Sequence, residues 1–206
     1  MTVDRETLEA EVRRLCDAGS AAAGSIAAIR GYGPEILGFL VAQHRNENDA
    51  GEVFSIWTER VFRGLPAFAW SASLRTWAYT IARNASMNYV RDRKARGGDR
   101  MAGSVELDEV RQEVRTQTPA YMRTEAKRKL AAIRDALPAE DRMLLVLRVD
   151  KRLEWKDLAV VMLGDAADVD AAALTRESQR LRKRFQLLKD KLLVAGKRAG
   201  ILPADE

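Results

Sequence analysis

The sequence predicts an all-α protein of two small helical domains joined by a flexible linker, the second ending in a helix-turn-helix. Three observations predict it. Apolar residues recur at helical spacing through most of the 206 residues, no stretch alternates as a strand does, and turn residues and charge divide the chain into four parts. That length accommodates one ordinary domain or two small ones.

Residues 1–28 are expected to be an N-terminal helical extension. A short amphipathic helix over 1–18 has Leu8, Val12 and Leu15 as its apolar positions, and Ala and Gly dominate 18–28. Gly31-Tyr-Gly33-Pro34 punctuates the start of a second helix, continued by Glu35 to Arg45 with Ile36, Leu37, Leu40 and Val41 as core candidates. A third helix is expected from Asp49 to Arg63, because Ala50, Val53, Phe54, Trp57 and Val61 fall within a narrow arc. Glu52, Ser55, Glu59 and Arg63 lie opposite, with Ile56 beside them; Gly64 and then Pro66 stop the helix.

A loop through Phe68 and Trp70 leads to Ser73, a suitable N-cap for a fourth helix. On that helix Leu74, Trp77, Ala78, Ile81 and Ala85 share one face, while Thr76, Tyr79, Thr80, Arg83, Met87 and Val90 occupy the other. Two readings of the second face stand. Tyr79 and Arg83, one turn apart, offer a ring beside a cation, which suits unpaired nucleic acid; alternatively the helix is packed on two sides. Six cations fall between Arg83 and Arg100. These helices are expected to form one domain over 29–96.

Gly97-Gly98 and Thr116-Gln-Thr-Pro119 bracket a segment, 97–119, in which Glu106, Asp108, Glu109 and Glu113 outnumber Arg111 and Arg115. Sparse apolar positions there predict the linker. Residues 120–206 form the second domain. Tyr121 to Leu137 carries Leu130, Ile133 and Leu137 at helical spacing, Pro138 opens the next helix at N1, and Asp141 to Leu153 is apolar enough to be a central core helix. Trp155 to Leu163 turns Leu158, Ala159 and Met162 inward and ends at Gly164.

Asp168 or Asp170 caps the last helix, which is expected to reach about Ala195. Leu174, Leu181, Phe185, Leu188 and Leu192 make its apolar seam, with Arg176, Gln179, Arg180 and Lys183 opposite. A short helix, a turn and a longer basic helix make a helix-turn-helix, which places the second helix in the major groove. Arg176 then suits a guanine edge and Gln179 an adenine, while Arg180 and Lys183 suit phosphates.

The formal charge is only +5, so basicity has to be concentrated locally for nucleic acid to be held. One cysteine, Cys16, excludes an intramolecular disulfide, and with His44 as the single histidine it argues against zinc or a Cys/His catalytic pair. No nucleophile triad, carboxylate pair or phosphate loop stands in a plausible context. A non-enzymatic, cytoplasmic protein without cofactor, metal or membrane insertion is expected.

The run Phe68-Ala-Trp-Ser-Ala-Ser73-Leu-Arg-Thr-Trp77-Ala-Tyr79-Thr-Ile81-Ala-Arg83-Asn84, followed by a basic segment, resembles the promoter-melting helix of bacterial sigma factors of the extracytoplasmic-function (ECF) group. Asp49-Ala50-Gly-Glu52-Val-Phe54 resembles the segment with which these proteins grip the polymerase β′ coiled coil. Leu137-Pro138-Ala-Glu140-Asp-Arg142 and Trp155-Lys-Asp-Leu158-Ala159 resemble parts of their −35-binding domain, although the turn 164–173 is longer and more acidic than usual.

The resemblance implies a dissociable promoter-specificity subunit of RNA polymerase. Its −10 contacts would come from Phe68, Trp70, Ser73, Tyr79, Arg83, Asn84, Asn88, Arg91, Arg93 and Lys94. Asn84 and Asn88 would bond an extruded base or be satisfied within the core. Its −35 contacts would come from Arg176, Gln179, Arg180 and Lys183. Asp49, Glu52, Ser55, Ile56, Glu59 and Arg63 would dock on polymerase. Implied partners are the polymerase core (β′ coiled coil and β flap), promoter DNA and an anti-sigma factor. The alternatives from the sequence are a dimeric helix-turn-helix regulator and a sigma-like adaptor without promoter activity.

Overall fold

The computed structural model describes residues 4–95, 131–164 and 170–201. The expected linker, most of the Tyr121–Leu137 helix, and Asp168 lie outside these residues, as do the side chains of Arg93 and Lys94. All regular structure among the described residues is helical. Contacts divide the chain into two compact units, Met1–Pro119 with Val160–Asp168, and Ala120–Ala159 with Val169–Glu206.

In the first unit, α1 (Arg5–Asp17) is capped by Asp4, whose carboxylate accepts from Thr7 N at 3.1 Å and from Thr7 Oγ1 at 2.8 Å. It buries Leu8 and Val12 against α2, while Leu15 is half-buried. Helix α2 (Ala21–His44) runs unbroken through Gly31-Tyr-Gly33-Pro34, so the expected interruption there, and the expected boundary at residue 28, both fall inside one helix. The glycines serve close packing instead of a turn. A Cβ built on Gly31 lands within the Leu8 side chain, 2.8 Å from Cδ1 and closer to Cδ2; one built on Gly24 meets Cys16 Sγ at 3.1 Å. At Gly31 only hydrogen lets α1 lie this close, whereas at Gly24 a methyl would require Cys16 to give by a few tenths of an ångström.

Helix α3 (Glu47–Gly64) follows the sequence pattern closely. Ala50, Val53, Phe54, Trp57 and Val61 are buried, joined by Thr58, and Asn46 caps the helix through Asn48 N and Asp49 N. A 3₁₀ turn (Leu65–Ala67) and the loop 68–73 lead to α4 (Leu74–Ala95). Trp57 Nε1 donates to Ala78 O at 3.0 Å and ties α3 to α4.

The burial of α4 departs from the expected face. Leu74, Ala78 and Ala85 are buried as expected, but Trp77 and Ile81 are only half-buried, whereas Thr76, Tyr79, Thr80, Ala82 and Ser86 are buried. The helix packs on both α3 and α2, so its second face meets protein rather than water.

In the second unit, residues 131–135 are helical and α5 (Ala139–Leu145) passes into a π-helical stretch, Val146–Asp150. Pro138 is the N-cap rather than N1, and the core helix expected over Asp141–Leu153 ends at Asp150. Helix α6 (Trp155–Leu163), grouped with the first unit from Val160 onward, has the expected bounds. Asp170 caps α7 (Ala171–Arg198), accepting from Ala173 N at 2.8 Å. Ser178 Oγ donates to Trp155 O at 3.0 Å, and the Trp155 ring meets Phe185 edge-on at 5.6 Å. Arg184 bonds Glu140 and Asp141, each at 2.6 Å, fastening α7 to the start of α5.

Candidate nucleic-acid interface

The loop before α4 carries three touching aromatic rings. Phe68 stacks on Trp77 with centroids 4.7 Å apart and planes 25° apart, and meets Trp70 at 4.9 Å with a 47° tilt. All three are half-buried, so part of each ring faces outward. Trp70 has φ +57°, a left-handed conformation costing a bulky residue on the order of 1 kcal/mol, so its surroundings must hold it there. The Arg13 guanidinium of α1 lies 5.4 Å over its ring. Ser73 is exposed, but its hydroxyl is engaged in capping, accepting from Thr76 N at 3.1 Å and pairing with Thr76 Oγ1 at 2.8 Å.

Beyond this cluster α4 presents a mixed stripe. Asn84, Met87, Asn88 and Arg91 follow at i, i+3, i+4 and i+7, with Met87 and Arg91 exposed and the two asparagines half-buried. Val90, also exposed, lies beside them. The Asn84 amide is satisfied at both ends: Arg83 Nη1 donates to its Oδ1 at 3.1 Å, and its Nδ2 donates to Gly164 O, a residue grouped with the first unit, at 2.6 Å. Of the two alternatives for Asn84, the internally satisfied one is observed. Arg93 and Lys94 continue the same helix.

Tyr79 is a correction. Its ring is fully buried, edge-on to Phe39 at 5.5 Å, with Arg75 5.3 Å above it. Burial, reinforced by the negative charge of Glu35, pushes its hydroxyl well above the usual tyrosine range. A ring so enclosed offers nucleic acid no stacking surface. Sequence periodicity assigned it to the outer face because it cannot show that a second helix covers that face.

Two polar clusters had no signal in the sequence. At the start of α4, Arg75 is ion-paired to Glu35, and its backbone N donates to Glu9 Oε1 at 3.2 Å; the same Glu9 oxygen accepts from Tyr32 OH at 2.9 Å. Burial opposes the Arg75 charge, but the bonds and charge of Glu35 outweigh it and raise its pKa. Further along, Tyr89 OH donates to Asp49 Oδ1 at 2.9 Å, and Ser86 Oγ lies 2.8 Å from His44 Nε2. Asp49, expected on the polymerase-facing surface, is thus drawn toward α4. The other residues expected there share one face of α3: Glu52, Ser55, Ile56 and Glu59 are half-buried and Arg63 is exposed. Ser55 Oγ donates back to Gly51 O at 3.1 Å.

On α7 the four expected DNA-facing residues, Arg176, Gln179, Arg180 and Lys183, are all exposed. The opposite seam is uneven, with Leu181 and Leu188 buried and Leu174, Phe185 and Leu192 half-buried. Arg180 is bidentate to Glu177, at 2.7 and 2.6 Å, and hydrogen bonding to that carboxylate raises its pKa. Its charge is partly offset, which fits a phosphate contact less well than Lys183 does. Among the described residues no group of His, Cys, Asp and Glu is placed to hold a metal, and no helix is long and apolar enough to cross a membrane.

Residues 28–96 match Sigma-70 region 2. The RNA polymerase sigma-H factor of Pseudomonas aeruginosa is 27% identical over 136 residues, 64% of this chain and 70% of that protein. The chain carries a Sigma-70 region 2 domain. Region 2 begins within α2 and takes in α3, the aromatic loop and the described length of α4, so the loop cluster and the outward stripe of α4 both fall in it. Helix α1 precedes the matched residues, yet Glu9 and Arg13 reach the loop and the first turn of α4.

Proposed function

We propose that this protein is an alternative sigma factor of the ECF group, which directs RNA polymerase core to specific promoters, opens the −10 element and reads the −35 element. The observation that carries the proposal is the joining, within region 2, of the half-buried Phe68–Trp70–Trp77 cluster to the outward stripe of α4 with its cations. Extruding a base from the stack costs a few kcal/mol. Stacking on an aromatic side chain contributes about 1–3 kcal/mol per base, so one ring and one or two hydrogen bonds offset that cost. Phe68 and Trp70 supply the rings, Asn88 a polar contact, and Arg83, Arg91, Arg93 and Lys94 hold the backbone. Asn84, already satisfied, shapes the site instead of reading a base.

In the second domain α7 enters the major groove of the upstream element, with Arg176 and Gln179 nearest the base edges and Lys183 and Arg180 at the backbone. The surface from Glu52 to Arg63 docks on the polymerase β′ coiled coil, and the second domain meets the β flap. An anti-sigma factor would silence the protein by covering these polymerase-binding faces. The role is one of recognition and strand opening; catalysis belongs to the polymerase.

Run-off transcription tests this. Purified core polymerase is given fragmented genomic DNA from the source organism, with and without the protein. Discrete new start sites sharing −10-like and −35-like elements are expected. Stable core binding without transcripts would instead indicate an adaptor, and no core binding at all would indicate a helix-turn-helix regulator.

A further inference from the structure

We infer that Arg13, on a helix outside the region 2 match, is a positioning residue of the −10 site, and that its guanidinium over the Trp70 ring holds the loop in the shape that receives the extruded base. The inference rests on the sigma-factor function proposed above and assigns part of its −10 specificity to α1.

Three features lead to it. The loop is fixed at its ends, where Phe68 N donates to Leu65 O at 3.1 Å and Ser73 caps α4, while its middle carries Trp70 at φ +57°. A bulky residue stays in that conformation only when its surroundings favour it. Phe68 and the Arg13 cation both lie against its ring.

Glu9 and Arg13, moreover, stand at i and i+4 on one face of α1. Glu9 accepts from the Arg75 N–H in the first turn of α4, and Arg13 covers the loop just before that turn. One stripe of α1 therefore grips both sides of the loop–helix junction. The grip is only as firm as α1 itself, and α1 is seated by the Gly31–Leu8 approach and by the Tyr32–Glu9 bond.

Arg13 is also the cation of this helix suited to the task. Its neighbour Arg14 is paired with Glu11 at 3.0 Å. A planar guanidinium stacks on an indole face while its N–H edge remains open to water or a passing phosphate, so holding the ring does not neutralise it.

The test uses the full chain with core polymerase on a promoter identified by run-off transcription, with 2-aminopurine placed in turn at each −10 base of the non-template strand. Arg13→Ala, Arg13→Lys and Arg14→Ala are compared with the wild type. Arg13 is exposed, so all three variants are expected to fold and bind core alike. Arg13→Ala should weaken the extrusion signal at one −10 position by about two- to fivefold and relax base preference there. Arg13→Lys, which keeps the cation–π attraction but loses the planar stack, should recover only part of the signal, and Arg14→Ala should match the wild type.

Wild-type behaviour in Arg13→Ala overturns the inference and leaves the sigma-factor function standing. A loss equal at every −10 position, with a shallower salt dependence, makes Arg13 a phosphate contact and also overturns it. If the wild type opens no promoter, the proposed function itself fails and takes the inference with it.

Discussion

Replacing Gly31 by Ala sets two effects of opposite sign against each other. Within a helix the change removes backbone freedom from the unfolded chain and is worth about 1 kcal/mol of stability where the new methyl has room. At Gly31 it has none, because its Cβ would fall 2.8 Å from Leu8 Cδ1 and closer still to Cδ2. Either Leu8, now only 9% exposed, is pushed out of its seat, or α1 and α2 move apart. Overpacking of this kind costs about 1–3 kcal/mol, so a net destabilisation of up to about 2 kcal/mol is expected. In a Leu8→Ala background the obstruction is gone and the same substitution should stabilise by about 1 kcal/mol, a coupling on the order of 1–3 kcal/mol. Urea unfolding followed by tryptophan fluorescence in a Trp155→Phe background reads the first unit, since Trp57, Trp70 and Trp77 all lie in it. If Gly31→Ala stabilises the otherwise unaltered chain, or has the same effect in both backgrounds, α1 is not seated as described and its grip on the aromatic loop is lost with it.

Arg75→Met leaves Glu35 without its principal partner and should cost about 3 kcal/mol by urea unfolding, with Arg75→Met/Glu35→Leu recovering most of it. Tyr79→Leu should lower stability while leaving promoter preference in run-off transcription unchanged; altered preference in a folded variant would return the ring to the DNA. Arg176→Ala should change −35 preference by about 1–3 kcal/mol at one base pair in competition binding, and an equal loss on all sequences would make it a phosphate contact. The carboxyls of Asp4 and Asp170 are held below their ordinary value of 3.8, Asp4 chiefly by Thr7 and Asp170 by Ala173 N–H. A lowered folded pKa makes their capping contribution fully present above the unfolded value and lost as pH falls through the folded one. Far-UV circular dichroism between pH 6 and 2 should show helix loss at the acid end, and Asp170→Asn should remove part of that dependence.

Much of the fold was legible in the sequence because it depends on neighbours along the chain. The Ala50–Val61 stripe, the stop at Gly64, the caps at Ser73 and Asp170 and the bounds of α6 are set by bonds reaching three or four residues and by one helix face at a time. The exposure of Arg176, Gln179, Arg180 and Lys183 was legible for the same reason. Periodicity shows which side chains share a face, but not how many partners cover the helix. Tyr79 was therefore set among outward residues although α4 packs on two helices, and Gly31 passed for part of a turn although it makes room for another helix. The candidate site divides in the same way. Its residue types and order belong to the Phe68–Asn84 run, whereas the satisfaction of Asn84, the Glu9 contact to Arg75 N across 66 residues and the Arg13 contact to Trp70 exist only once the helices pack. Sequence alone determined α3, α6 and the caps at Ser73 and Asp170, since those interactions close within a turn; the tertiary structure decided the unbroken course of α2 and which faces stayed open to solvent, since these depend on partners distant in the chain.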